Sequence, residues 1–132
     1  MKVEDHWDAY REHRASIFSW AMDIRGLRRS QRTVGLNVSR ALIELLSVLL
    51  HERRHIDAGF QLNHRWFKSR SVADRLPDFE GKDEVVPAMV ELENLAEVLA
   101  HGAPKPEERT KEAIERFIGI EKRILVLIHG NQ

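Results

Sequence analysis

The stretch LLHERRH, residues 49–55, contains a histidine, a glutamate and a second histidine in the order His51, Glu52, His55. Residues four apart share a helix face, so His51 and His55 are spaced as two zinc ligands must be, with Glu52 beside them as a general base. A zinc site also needs a third donor, and Asp57 and His64 are the nearest in the chain. Three features oppose a zinc hydrolase. The charged pair Arg53 and Arg54 fills the motif, the apolar pattern of the helix is ending, and HIDAGFQLNH lacks the longer zincin spacing. The expectation is a polar helix end whose His and Arg side chains favour the negative end of the helix dipole, with no metal and no cofactor. Zinc hydrolysis through His51 and His55 is kept as an alternative.

A second constellation follows at once. RRHIDAGFQLNHRWFKSR places Arg53, Arg54, His64, Arg65, Lys68 and Arg70 around Trp66 and Phe67. Cations bind phosphates and exposed aromatic rings stack on bases, so single-stranded RNA is the ligand this composition suits. The plainer reading makes the aromatics core or interface anchors and leaves the cations solvated. A further cluster, Arg25, Arg28, Arg29 and Arg32, either extends a basic surface, pairs with acidic residues of the second half, or is simply a surface loop. No catalytic triad and no phosphate-binding glycine loop is visible.

These residues must be positioned by helices. Every long apolar pattern in the chain has the helical period, and the Gly and Pro breakers fall between them. The first helix is expected over about 4–25, with Trp7, Tyr10, Ile17, Phe18, Ala21 and Ile24 on its inner face. After a basic connector, GLRRSQRTVG, a second is expected over about 37–55. It is apolar almost all round and so central to the core. A third, shorter helix is read over about 63–76, with Leu62, Trp66, Ser69, Ala73 and Leu76 inward. Asp83 is a plausible N-cap for the fourth, with Pro87 in its first turn and Gly102 closing it. The fifth runs over about 107–129. Short connections favour antiparallel neighbours, hence an all-α, up-and-down bundle of about five helices in a single domain, 1–132.

The order of these elements resembles the HEPN superfamily of small helical-bundle domains. The resemblance is carried by NVSRALIELLSVLL, then LNHRWFKSRSVADRLPDF, then the pair VPAMVELENLAEVLAHGAPKPEERTKEAIERFIGIEKRIL, and covers roughly residues 36–128. It implies a homodimer that is either a ribonuclease, as in toxin–antitoxin and RNA-processing systems, or a non-catalytic partner of a small nucleotidyltransferase. Catalytic members carry an arginine followed, after four to six intervening residues, by a histidine. In ELENLAEVLAHG the histidine is His101, but Glu93, Asn94 and Glu97 stand upstream and no arginine does. The only literal match, Arg123 to His129, lies at the C-terminus. The resemblance therefore implies a dimeric binding or partner module associated with RNA. The alternative is an active endoribonuclease using His64 or His101 with nearby arginines.

Composition sets the outer limits. The chain has 132 residues, 21 Lys and Arg against 21 Asp and Glu, and no cysteine, which excludes a disulfide or a thiol nucleophile. Residues 1–75 hold 14 basic against 9 acidic side chains and residues 76–132 hold 7 against 12, a bias of +5 against −5. Such asymmetry suits a polyanion partner or head-to-tail association, unless the charges are merely solvated helix faces. The longest unbroken apolar runs are short for a membrane span and the acidic start is unlike a signal peptide, so a cytoplasmic protein is expected.

Overall fold

The computed structural model describes residues 1–130. Five helical segments of ten residues or more make up the fold: α1 (Val3–Ala15), a π-helical continuation (Ser16–Arg25), α2 (Gln31–Glu52), α3 (Lys82–Ala100) and α4 (Glu107–His129). No strand occurs among the described residues. The protein is an all-α bundle.

Cross-links between helices give their directions. His6 bonds Glu44 and His13 bonds Asn37, so α1 and α2 run antiparallel. Arg116 meets Glu91 and Arg123 meets Glu84, so α3 and α4 do as well. Gln31 bonds the chain at both Leu99 and Lys105, while Arg53 at the far end of α2 bonds the Leu127 carbonyl. The path is up, down, up, down, with α2 parallel to α4 and in contact with every other long helix. Leu42, Leu45, Leu46, Leu49 and Leu50 of α2 are at most 1% exposed, against Ile17, Leu92, Leu99, Phe117 and Ile124 from its neighbours. By length and composition α2 also passes as a membrane span, but 72% of that stretch is buried inside the bundle, the place of a core helix.

α2 begins at Gln31, six residues before the expected start. The sequence reads as a connector there because of its arginines and Gly35, yet Gly35 is inside the helix. A Cβ at Gly35 would lie 2.7 Å from the Ala100 nitrogen and 2.8 Å from the Ala96 carbonyl oxygen. The glycine is required by the approach of the α3 backbone, and its poor helix propensity is offset by that packing. Ser30, just before α2, does not cap it. Its hydroxyl donates to the carbonyls of Ala21 and Gly26, fastening the preceding helix end.

Two other segments depart from expectation. In residues 16–25 the winding widens, and Gly26 N–H donates to Ala21 five residues back. A face counted at the α-helical period drifts over such a stretch. Ile17 and Ala21 remain buried, while Ile24 comes out 67% exposed beside Trp20 at 65%. Residues 63–76 form two 3₁₀ turns, His64–Lys68 and Arg70–Arg75, instead of one α-helix. Asn63 and Ser69 each accept from the amide two residues on, which competes with α-helical pairing, and Ser69 is extended. The side chains turned inward are accordingly Phe67, Val72 and Leu76. α3 starts at Lys82 after a left-handed Gly81, which leaves Pro87 in the second turn rather than the first. α4 spans the residues expected for it.

We expect Gly35→Ala to destabilise the protein by about 1–3 kcal/mol, the usual cost of overpacking. Helix propensity alone would give a gain of about 1 kcal/mol. Urea unfolding decides between them, and a Gly35→Ala variant as stable as the wild type would refute the close contact.

Candidate functional site

The helix that carries the His51 motif stops inside it. Arg53 ends α2 and Arg54 takes a left-handed conformation, φ 59°, in the position usually given to glycine. His55 N–H donates to the Leu50 carbonyl at 2.8 Å and Arg54 N–H to His51 at 3.0 Å, the paired bonds of a Schellman stop. His51 therefore sits on the last turn of α2 while His55 lies beyond the helix, and the shared face needed by two zinc ligands is lost. Both border one open cleft with Arg54, but no group of three His, Asp or Glu suited to a metal gathers among the described residues.

His51 belongs instead to a buried helix junction. Its ring centroid is 5.1 Å from that of His6 on α1, whose Nδ1 pairs with Glu44 at 2.5 Å. Burial pushes the His51 pKa below its usual value, helped by His6 and the N-terminal amine and opposed by Asp57. The N-terminal amine is itself fixed on the Ala58 carbonyl.

The basic segment is largely neutralised. His64 Nδ1 lies 2.9 Å from Glu93, Lys68 Nζ 2.9 Å from Glu97 and Arg70 3.7 Å from Glu91, all on α3. Arg53 reaches the C-terminal carbonyls of α4. Phe67 is in the core at 1% exposure, so it offers no stacking face. Trp66 is half-buried, with the Arg75 guanidinium 5.1 Å over its ring and Phe60 against its edge. Arg65 remains exposed.

What the fold does assemble is a narrow groove where α2 meets the C-terminal half of α3, covered by the first 3₁₀ turn. Arg40 and Ser39 enter from α2, Glu93 and Glu97 from α3, His64 from the 3₁₀ turn and His101 from the end of α3. With roughly 50 Å³ of free space, the groove holds a few waters or an anionic oxygen but not a base, so a larger ligand would lie across it. Glu93 is buried at 5% and holds the His64 ring by Nδ1, which leaves Nε2 as the nitrogen available for proton exchange. Lys68, with His101 and His64, holds the Glu97 carboxyl below its usual pKa, the Lys68 hydrogen bond being the largest cause. Ser39 Oγ is buried and has no partner among the described residues. His64 and His101, the two candidate histidines for RNA chemistry, thus share one groove, and His51 and His55 lie elsewhere. Arg40, Ser39 and the pairing role of Glu93 were not foreseen. Arg40 and His101 are far apart in sequence, and only the close α2–α3 contact brings them together.

The class defined is an all-α bundle with an imidazole and carboxylate groove between two antiparallel helices. The chain matches no protein-family model, no curated protein and no solved structure.

Two outcomes follow from this geometry. Arg54→Gly should raise stability by up to about 1 kcal/mol, since glycine takes the left-handed position without the Cβ penalty, and an unchanged or lowered melting temperature would count against the Schellman stop. Because burial lowers the His51 pKa in the folded state, protons bind more readily to the unfolded chain, so its contribution is present above the unfolded pKa of about 6.5 and is lost as pH falls below that value. Denaturation at pH 7.5 and pH 5.5 should show a smaller loss of stability on acidification for His51→Gln than for wild type. Equal losses would contradict it.

Proposed function

We propose that this chain is a HEPN-like, dimeric helical domain that acts in the cytoplasm as an RNA-associated binding or partner module. The observation that carries the reading is the α2–α3 groove. There a cation, Arg40, faces two imidazoles, His64 and His101, beside a buried hydroxyl whose oxygen has no partner. Such a set donates hydrogen bonds to phosphate oxygens. A second copy of the chain is supported by the exposure of Trp20 and Ile24, one turn apart on the π-helical segment and more open than an isolated domain favours. A small nucleotidyltransferase is the protein partner the resemblance suggests.

A second reading, endoribonuclease, is favoured by one specific feature. The arginine missing upstream of His101 has a spatial counterpart in Arg40, which borders the same groove from α2. Together with a His64 oriented by Glu93, it supplies both a cation for phosphate charge and a proton acceptor.

Three measurements test these readings. Light scattering should give twice the 15.4 kDa chain mass, and a monomer at all concentrations removes the dimer. Fluorescence anisotropy with a labelled single-stranded oligoribonucleotide should show micromolar, salt-sensitive binding, weakened about tenfold in Arg40→Ala, on the order of 1.4 kcal/mol. Absence of binding removes the RNA reading. Cleavage by wild type that disappears in His101→Ala would install the endoribonuclease in its place.

A further inference from the structure

The charge bias of the chain is mostly consumed internally. Arg14 pairs with Glu121, His64 with Glu93, Lys68 with Glu97 and Arg70 with Glu91, each joining a first-half side chain to a second-half carboxylate. Among the cations outside these pairs, Arg28, Arg29 and Lys105 lie together at one end of the bundle. Because α2 and α4 run parallel, their N-termini lie side by side, bridged by Gln31, which accepts from the Lys105 amide and donates to the Leu99 carbonyl. Between them opens a cleft of about 640 Å³ bordered by Arg28, Arg29 and Lys105. Arg28 and Arg29 are exposed, Lys105 is half-buried, and none of the three forms an ion pair among the described residues. Glu107 is the one carboxylate on the lining.

We infer that this cleft is a binding site for phosphate groups, and that it, rather than the segment from Arg53 to Arg70, is where the backbone of a single strand is held. The second clause rests on the RNA reading above, while the first does not. Three cations facing one carboxylate leave a net positive cavity, and like charges kept this close without counter-charge repel one another. An anion relieves that repulsion. The N-terminus of α2 adds to the field, since neither α2 nor α4 has a side-chain cap at its start and the amides there carry the positive end of the helix dipole. Gln31 braces the wall, so the cations project from a fixed frame. Leu27, packed against the core, gives the cleft an apolar edge. Arg32 extends the basic rim toward the groove. Its guanidinium donates to the Gly102 carbonyl at 2.9 Å, next to His101. A strand anchored at Arg28 and Arg29 thus has a continuous route to the imidazoles.

The test uses two probes, inorganic tripolyphosphate followed by calorimetry and a labelled single-stranded oligoribonucleotide followed by anisotropy. The variants are Arg28→Ala/Arg29→Ala, Lys105→Glu and, for comparison, Arg65→Ala/Lys68→Ala/Arg70→Ala, each first shown to keep the wild-type circular dichroism. For both probes we expect the first two variants to weaken binding at least tenfold. The double variant should also lower the salt dependence of RNA binding by about two contacts. The triple variant should change it less than threefold. Tripolyphosphate binding that is lost in the double variant, with no RNA binding, would uphold the phosphate site, overturn the strand-holding clause and defeat the RNA reading. RNA binding that is lost only in the triple variant would overturn the inference and leave the RNA reading standing. Binding of neither probe would end both.

Discussion

The closeness of α2 and α3 at Gly35 governs the rest of the molecule. Helices usually pack 8–10 Å apart, with side chains filling the space between axes. Here the α3 backbone at Ala96–Ala100 comes within contact distance of where a Cβ on Gly35 would be. Several features follow from that one approach. α2 is locked into the centre, where α1 and α4 can close on its remaining faces. The end of α3 is brought down beside Arg40, which puts His101 on the same groove as residues from α2. The turn after α3 is held against the start of α2 by Gln31 and Arg32, which builds the frame of the basic cleft.

Electrostatics then sorts the surface. α3 presents Glu91, Glu93 and Glu97 toward the segment 64–70, and Arg70, Lys68 and the His64 imidazole, which a linear reading assigns to a polyanion, are paired there. The exposed pairs contribute little to stability. Their importance is to reduce the positive potential on that face, while Arg28, Arg29 and Lys105 at the bundle end where α2 and α4 begin have no such pairs among the described residues. The most deeply set pair does structural work of another kind. Glu121, 6% exposed on α4, accepts from Tyr10 at 2.6 Å and from Arg14 at 2.7 Å, tying α1 to α4 across the bundle. Burial and the Glu121 carboxylate together raise the Tyr10 pKa, so this phenol stays protonated and remains a donor.

The legible parts of the fold are those where local and tertiary preferences agree. α4 was readable to both ends because Pro106 and Gly130 bracket a regular apolar stripe. The start of α2 was hidden because Gly35 reads as a breaker when the helix that requires it lies sixty residues away. The outward turn of Ile24 was hidden because π winding has no sequence signature at these positions. The segment 63–76 was misread as an α-helix since its apolar spacing outweighed two short polar side chains, Asn63 and Ser69, that rewrite the local hydrogen bonding. For the groove, His64 stood out within its basic and aromatic segment and His101 through the resemblance. Arg40, Ser39 and Glu93 carry no signal of their own, because their roles exist only across the α2–α3 contact.

The same chemical pair occurs twice, and its surroundings decide what each copy can do. His6 with Glu44 and His64 with Glu93 are both imidazoles held through Nδ1 by a carboxylate. His6 is 3% exposed, and its Nε2 is buried against the helix junction near His51, where no proton donor or acceptor from solvent can reach it. That pair fixes how α1 sits on α2. His64 is 29% exposed while its carboxylate partner is buried at 5%. The anchor is thus on the protein side and the imidazole keeps open surface, the arrangement that proton transfer to a ligand requires. The motif that first suggests chemistry, His51 to His55, lies at the helix junction beside His6 and at the stop of α2. His64, the more open of the two carboxylate-held imidazoles, stands in a 3₁₀ turn with no motif around it.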